Sequence, residues 1–398
     1  MYLAVLGRQP EISIAELEAL FSDVKQISPL LAVFKCQNSV SPEINRLGGS
    51  LKIAKGLEQK PLDFLSNLPS GKITIGISDY SKNASPKSAT LEALRLKKIL
   101  VRHGRSVRVV ENKTAILSTA TSLHNGLSGK NERKIELIKV DNDWYKVIGV
   151  QDIEAYAKRD QARPARDAKV GMLPPKLAQI LINLCGPLQS SARVLDPFCG
   201  TGVVLQEALI MDYCAYGTDI NARMIDYSKK NLRWLIKKSF TWTGDGDGRG
   251  PQNVLRSKNF GEGESPAGPV QNKDFELSVG DATSFKWQQP IDAVACEGYL
   301  GQPMSQVPTE IKLKQQKQEC STIILGFLKN LASQIEANTP VVIAVPAWLR
   351  ENDKYERLDI LDEIASMGYN VNNKSREGLI YCREKQIVAR DIIILRKK

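Results

Sequence analysis

The sequence predicts an α/β protein in two parts: an α+β N-terminal region, then a doubly wound, mostly parallel sheet. Three observations predict it. From Pro174 onward, short apolar strands alternate with helical patterns, as βαβ units require. A glycine-containing turn, Gly200-Thr-Gly202, joins the first of these strands to a helix. The charge is also uneven. Residues 1–176 hold 28 Lys and Arg against 18 Asp and Glu, whereas residues 177–398 hold 27 against 26. A basic half beside a nearly neutral half reads as a polyanion-binding module joined to something else.

The elements follow in order. Tyr2–Leu6 reads as a strand, and Ile12, Ile14, Leu17, Leu20 and Phe21 fall near helical spacing. Ser13 with Glu16 suggests a capping box at that helix. Leu30–Phe34 is a second strand, and Lys72–Ile77 alternates as a third. Thr90–His103 is a basic helix. Val107–Val110, Leu117–Ala120, Lys134–Val140 and Trp144–Val150 read as strands. Residues 151–176 form a charged joint.

Beyond it, a helix starts at the Pro174-Pro175 pair, where proline is tolerated in the first turn. Strands at Ala192–Leu195, Cys214–Thr218, Phe275–Val279, Ile291–Ala295 and Val341–Val345 alternate with helices at Val203–Ile210, Ala222–Lys237 and Ile311–Ala337. A helix at Tyr355–Met367 and strands at Ile380–Cys382 and Ile387–Leu395 close the chain. Residues 240–274, with Gly244-Asp-Gly-Asp-Gly248 and Gly261-Glu-Gly-Glu-Ser-Pro-Ala-Gly268, read as a flexible surface insertion. Asp245-x-Asp247-Gly248 within it lacks a third calcium ligand and has Arg256 where the closing Glu would stand.

Several classes are excluded. No run of 18 apolar residues is present, and Arg8 and Glu11 come too early for a secretory signal. The seven cysteines are scattered, with no Cys-x-x-Cys, and there are only two histidines. No metal site is expected, and the cysteine usage suits a reduced, cytoplasmic protein.

The chemistry concentrates at strand ends. Val194-Leu-Asp-Pro-Phe-Cys-Gly-Thr-Gly202 follows a strand and opens a helix, so its glycines let backbone approach a ligand. It is no dinucleotide fingerprint, because Val203-Val-Leu205 follows the second glycine. Asp196 would repel a pyrophosphate and suits a cation, such as the amino group of S-adenosylmethionine. Asp219 ends the second strand, about twenty residues on, where a carboxylate meets ribose hydroxyls. Asp281 ends the third and could accept an adenine amino group. Phe198, Ile220 and Ala282 stand beside these acids as further cofactor-site candidates. Three acids at successive strand ends point to a Rossmann-like methyltransferase.

The fourth strand runs into Cys296-Glu-Gly-Tyr-Leu-Gly301, where such folds keep substrate chemistry. Glu297 could accept a hydrogen bond from an exocyclic amine, and Tyr299 could stack on an extruded base. Cys296 as a nucleophile is disfavoured, since Ala295 stands where proline is usual. In the joint, Arg159, Arg163, Arg166 and Lys169 are candidate phosphate contacts.

With these residues in place, the chain resembles the THUMP-containing tRNA guanine-N2 methyltransferases, the family that methylates guanosine 10 of tRNA. Leu6-Gly-Arg-Gln-Pro-Glu-Ile-Ser-Ile-Ala-Glu-Leu-Glu-Ala-Leu20 resembles its N-terminal ferredoxin-like segment. Val107 through Gln151-Asp152 resembles the THUMP domain and its exit. Arg159-Asp160, Arg163-Pro164 and Gly171-Met-Leu-Pro-Pro-Lys-Leu-Ala178 resemble the passage into the catalytic domain. Asp196 to Gly202 matches the cofactor motif closely.

The resemblance implies a ferredoxin-like domain at 1–65, a THUMP-like RNA-binding domain at 66–155 and a basic linker at 156–173. It implies a class I Rossmann-like methyltransferase with a mostly parallel seven-stranded sheet at 174–398, and S-adenosylmethionine as cofactor. The substrate would be tRNA, held by shape and phosphates. Relatives in some lineages work with a small zinc-binding activator subunit.

One departure stands out. The family carries Asp-Pro-Pro-Tyr after the fourth strand. Here Glu297 falls on the Asp and Leu300 on the Tyr, the register preferred because it keeps a carboxylate at the strand end. The other register puts Cys296 on the acid and Tyr299 on the aromatic position. Without the two prolines, the loop is expected to be less rigid. Alternative readings are methylation of another exocyclic amine in RNA, adenine N6 or ribosomal guanine N2, or a catalytically decayed RNA-binding protein.

Overall fold

A computed structural model describes residues 1–36, 41–167, 172–241, 275–350, 354–372, 378–383 and 386–398. It divides into two units, Met1–Ala157 and Lys158–Lys398. Most of the insertion expected at 240–274, with its Asp245-x-Asp247, lies outside the described residues. Among the described residues, no helix is long and apolar enough to cross a membrane.

The first unit comprises β1 (Tyr2–Leu6), α1 (Pro10–Leu20), β2 (Ser22–Ser28), β3 (Leu31–Lys35), β4 (Ser50–Gly56) and α2 (Pro61–Ser66). It continues with β5 (Ile73–Asp79), α3 (Pro86–Arg102), β6 (Val107–Val109), α4 (Thr119–His124), β7 (Lys134–Val140) and β8 (Asp143–Val150). The unit boundary falls within α5 (Ile153–Gln161). Among the described residues the strands form one eight-stranded sheet, β2-β3-β1-β4-β8-β7-β5-β6. The regions 1–65 and 66–155 therefore share a sheet, joined where Lys52 to Gly56 pair with Val150 to Tyr145. α3 shows why its sequence starts a helix where it does. Ser85 and Ser88 form a reciprocal capping box, Pro86 takes the first turn, and Ala89, Ala93, Leu96 and Leu100 are buried.

Two sequence expectations need correcting here. Ser13 and Glu16 lie inside α1 rather than capping it. Ser13 Oγ donates to the Gly49 carbonyl at 2.7 Å, and the buried Glu16 carboxylate accepts the Gly48 and Gly49 N–H groups at 2.9 and 2.8 Å. Tertiary contacts 33 residues away use the side chains that a cap would need. Leu117–Ala120 is not a strand, because Ser118 caps α4 by accepting the Thr121 N–H at 3.1 Å.

The junction of the two regions is held by a buried ion pair. Lys52 on β4 reaches Glu136 on β7 at 2.5 Å, with 2% and 0% of the side chains exposed. Lys52 Nζ also donates to the Leu117 carbonyl and Ser122 Oγ, while Ser78 and Ser122 hydroxyls donate to the two carboxylate oxygens. Every lone pair that matters is met, which is what makes such a pair tolerable in a core.

The second unit comprises α6 (Pro175–Asn183), β9 (Arg193–Asp196), α7 (Val203–Ile210), β10 (Cys214–Asp219), α8 (Ala222–Thr241), β11 (Phe275–Val279) and β12 (Ala293–Glu297). It ends with α9 (Glu310–Ala332), β13 (Pro340–Leu349), β14 (Tyr355–Glu356), α10 (Leu361–Ser366), β15 (Tyr369–Val371), β16 (Ile380–Tyr381) and β17 (Val388–Lys397). The order along the sheet is β11-β10-β9-β12-β13-β17-β15, with β14 on β13 and β16 on β17. β11, β10, β9, β12 and β13 are parallel, and β17 runs antiparallel to β13 and β15. This is the expected mostly parallel, seven-membered Rossmann-like sheet with two short additions. The expected helix at Tyr355–Met367 is instead strand β14 followed by the shorter α10.

The chain leaves β9 in one direction along the sheet and returns to start β12 on its other side. That reversal opens a crevice at the carboxyl ends of β9 and β12, where open α/β sheets bind ligands.

Replacing Lys52 by Met strands Glu136 in the core and is expected to cost about 3–5 kcal/mol. Hydrogen exchange at β4 and β7 amides reads this loss, and the double variant Lys52→Met/Glu136→Leu is expected to recover much of it. Unchanged protection in the single variant would show that the pair does not hold the sheet together.

Candidate active site

Asp196, the last residue of β9, is 2% exposed. The chain then turns through Pro197 to Gly202 and enters α7. Cys199 N–H donates to the Thr218 carbonyl at 2.9 Å and Gly202 N–H to the Cys199 carbonyl at 2.7 Å. Gly202 has φ +79°, and a Cβ there would lie 2.8 Å from Ser228 Oγ. Only glycine satisfies both demands. Gly200 is also left-handed, at φ +50°. Its N–H donates to Asp219 Oδ2 at 2.9 Å, and its carbonyl accepts from Ser228 Oγ at 2.8 Å. The loop is thus fastened to the end of β10 and to α8. Phe198 stands partly buried, edge-on to Phe327 at 5.2 Å.

Asp219 ends β10, and its other oxygen caps the Asn221 N–H at 2.8 Å. Ile220 beside it is 70% exposed, an apolar side chain standing at the crevice edge. Asp281 lies further out, exposed, with Oδ1 accepting from the Thr283 N–H and hydroxyl. Ala282 is buried, and its carbonyl accepts from Asn330 at 3.0 Å.

Glu297 ends β12 on the other side of the crevice. Cys296 before it is fully buried and its thiol is pushed well up, first by burial. A thiol so buried is a poor nucleophile, which agrees with the disfavoured role of Cys296. The residues directly after Glu297, Gly298 to Gln302, contain no proline but are tied down. Gly298 N–H donates to the Ala344 carbonyl at 2.9 Å, and Gln302 N–H to Gln316 Oε1 at 2.7 Å. Tyr299 is half-buried, and its hydroxyl donates to Glu319 on α9 at 2.8 Å. Burial and that carboxylate push its phenol up to about 12. In this conformation Tyr299 packs against the core rather than standing open for a base.

Asp196, Asp219 and Glu297 are close enough to act on one another. Burial pushes the Asp196 carboxyl well above the usual carboxylate range, the Asp219 and Glu297 charges push it further, and the Phe198 N–H opposes them. Burial also raises Asp219, against the Asn221 and Gly200 N–H groups. Buried carboxylates in this state favour a cationic ligand, because a positive charge relieves both the desolvation and the repulsion. The crevice therefore favours a ligand that carries a positive group.

The joint behaves differently from the expected basic linker. Arg159 pairs with Glu207 on α7, Nε at 2.7 Å and an Nη at 3.3 Å, with the Glu207 side chain 1% exposed. Arg163 is 4% exposed and faces Asp160 at 3.7 Å. Neither is available to a phosphate in this conformation, which corrects their expected role. Asn231, fully buried on α8, brackets the Ala165 backbone on both sides and donates to the Thr201 carbonyl at 2.9 Å. Asp167 pairs with Arg223 at 2.8 Å. Residues 159–167 thus form a wall docked on the glycine loop. Arg166 is exposed, donating to the Gln161 carbonyl at 3.2 Å, and keeps its candidacy. Lys169 lies outside the described residues.

Sequence reading missed Glu207, Ser228, Asn231 and Arg390. Each carried a signal: a polar or charged residue on an otherwise apolar helix face or strand.

The chain is similar to known methyltransferases. The family described as RMKL-like, methyltransferase domain, matches residues 163–243. A tRNA (guanine(10)-N2)-dimethyltransferase of Methanothermobacter thermautotrophicus is 42% identical over 76 residues, 19% of this chain and 22% of the relative. One from Pyrococcus abyssi is 28% identical over 255 residues, 60% of this chain and 69% of the relative. The first alignment thus spans under a quarter of that relative's length. The crystal structure of TrmN from Thermus thermophilus aligns over 100% of this chain and 99% of its own, at 15% identity and a TM-score of 0.46.

The pairing predicts a contrast within the joint. Arg159→Ala strands a buried carboxylate and is expected to cost about 3–5 kcal/mol. Arg166→Ala is expected to stay within about 0.5 kcal/mol. Urea unfolding of the two variants measures both, and equal midpoints would remove the Arg159–Glu207 pair as an anchor.

Proposed function

We propose that this chain, which carries an RMKL-like methyltransferase domain, is an S-adenosylmethionine-dependent tRNA guanine-N2 methyltransferase. The observation that carries the reading is the pair of carboxylates at the switch point, Asp196 closing β9 and Glu297 closing β12 beside it. The relatives named tRNA (guanine(10)-N2)-dimethyltransferase support tRNA and guanine N2 as the target, with guanosine 10 as the site.

The chain's residues divide the work. Asp196 takes the positively charged amino group of the cofactor. Asp219 faces ribose hydroxyls, Ile220 flanks the adenine, and Asp281 with Ala282 lies toward the adenine edge. Gly200 and Gly202 let the backbone close on the ligand. S-adenosylmethionine held by these residues would supply a methyl group on a positively charged sulfur, with a neutral thioether as the leaving group.

The target amine is a poor nucleophile because its lone pair is delocalised into the guanine ring. Glu297 accepts a hydrogen bond from one amine hydrogen, and a backbone carbonyl of the following loop accepts one from the other. These bonds turn the lone pair toward the methyl carbon. Such positioning is worth up to ~7–11 kcal/mol in favourable cases. The alkylated nitrogen is strongly acidic, and its surplus proton leaves through Glu297 to solvent.

Arg166 and the basic first unit hold tRNA by shape and phosphates. Lys169 is a further phosphate contact in this reading. The reading carries cytoplasmic residence with it, and a small zinc-binding activator subunit as a partner in turnover.

The test incubates the protein with labelled S-adenosylmethionine and unmodified bulk tRNA, with and without such an activator, and digests the product for nucleoside mass spectrometry. N2-methylated guanosine is expected. A different methylated base would move the target to another exocyclic amine, and tRNA binding without product in either arm would overturn catalysis. Asp196→Ala is expected to abolish S-adenosylmethionine binding in calorimetry while leaving the fold intact. Unchanged affinity would take the cofactor out of this crevice.

A further inference from the structure

The Glu297 carboxylate is not alone on its side of the crevice. Arg390, on β17, donates from Nε to Glu297 Oε1 at 2.5 Å. The two strands are not neighbours, because β13 lies between them. Glu297 stands opposite Ala344 of β13, and Arg390 opposite Pro346. Those partners are two residues apart, so both side chains fall on the same sheet face. The small side chain of Ala344 lets the arginine stem pass. Arg390 is 4% exposed, while the Glu297 side chain keeps 16%. Oε1 is therefore committed to the arginine. Oε2 has no hydrogen bond from the described residues.

The charged surroundings explain why this pairing matters. Glu297 and Asp219, the latter on β10, both act on Asp196 of β9. On its own strand Glu297 follows Cys296, a thiol held neutral by burial, with Cys185 beyond it. β13 contributes only Ala344, Val345 and Pro346 near this register. Tyr299 on the loop is bound to Glu319. Arg390 is thus the cation that β17 brings to a set of carboxylates. Without it, the Glu297 carboxylate would stand near Asp196 with no cation of its own and with neither oxygen held in place.

Resting on the reading of Glu297 as the amine acceptor, we propose that Arg390 is a positioning residue for methyl transfer. It occupies one carboxylate oxygen, balances the negative charge of the group and leaves the other oxygen for the target amine. The two carboxylates of the crevice are then compensated differently. Asp196 receives its cation from the ligand, whereas Glu297 carries its own from β17.

The test uses the full-length protein with Glu carboxyl carbons labelled with carbon-13, and assigns Glu297 with Glu297→Gln. In Arg390→Met the Glu297 titration is expected to move upward by about one pH unit or more, with Arg390→Lys between it and the parent. In turnover, Arg390→Met is expected to lower kcat about 10- to 100-fold at neutral pH and to move the acid limb of the rate profile upward, with S-adenosylmethionine affinity unchanged. In a Glu297→Gln background, Arg390→Met is expected to add no further loss. An unmoved Glu297 titration in Arg390→Met would overturn the proposal. So would an Arg390 effect that persists in full after Glu297→Gln. If the parent protein methylates no RNA, the functional reading falls by itself, and the titration still decides what Arg390 does to Glu297.

Discussion

The second unit is organised around one electrostatic problem, the convergence of Asp196, Asp219 and Glu297 where the strand order reverses. Three carboxylates so placed do not come from the demands of a stable core. Buried acids without cations cost stability, and the Asp196 carboxyl answers by holding its proton more tightly. Much of the surrounding structure serves to keep them there. Gly200 donates its N–H to Asp219, and Ser228 fastens the Gly200 carbonyl. Asn231 fastens the Thr201 carbonyl to the wall at Ala165. Arg390 crosses β13 to reach Glu297.

The same device recurs wherever the chain must join distant parts. Lys52 and Glu136, 84 residues apart, sit at the seam where the two N-terminal regions share a sheet. Arg159 and Glu207, 48 residues apart, fix the joint to α7. Glu16 closes on the Gly48 and Gly49 amides. Each is a buried charge met by several donors or by a guanidinium fork. Buried pairs of this kind add little net stability over apolar packing but penalise alternative arrangements heavily. Their removal is correspondingly damaging, because one partner is left behind.

Local chemistry was legible in the sequence and long-range pairing was not. The glycines at 200 and 202 and the acids at strand ends follow from turn geometry and strand termination, which neighbouring residues determine. The α/β alternation after Pro174 was readable for the same reason. Arg159 and Arg163 read as phosphate contacts because their surroundings lie far away in the chain, and composition carries no such information. The continuity of the first sheet depends on β4 meeting β8 about a hundred residues later. The strand expected at Leu117–Ala120 failed because Ser118 offered a better helix cap than the apolar run offered a strand. Tyr299 was an aromatic in the right loop, and only the structure shows its hydroxyl drawn to Glu319.

The central claim is that Asp196 awaits a cation from its ligand. Burial raises its carboxyl well above the usual carboxylate range, and a cationic group favours the ionised form. Binding is then expected to release a proton, with affinity weakening as pH falls through the range where Asp196 takes that proton up. Calorimetric titration with S-adenosylmethionine in two buffers of different ionisation enthalpy measures this directly. The account predicts net proton release in the parent protein, lost in Asp196→Asn along with tight binding. Tight binding with a buffer-independent enthalpy and an affinity flat from acidic to neutral pH would contradict it.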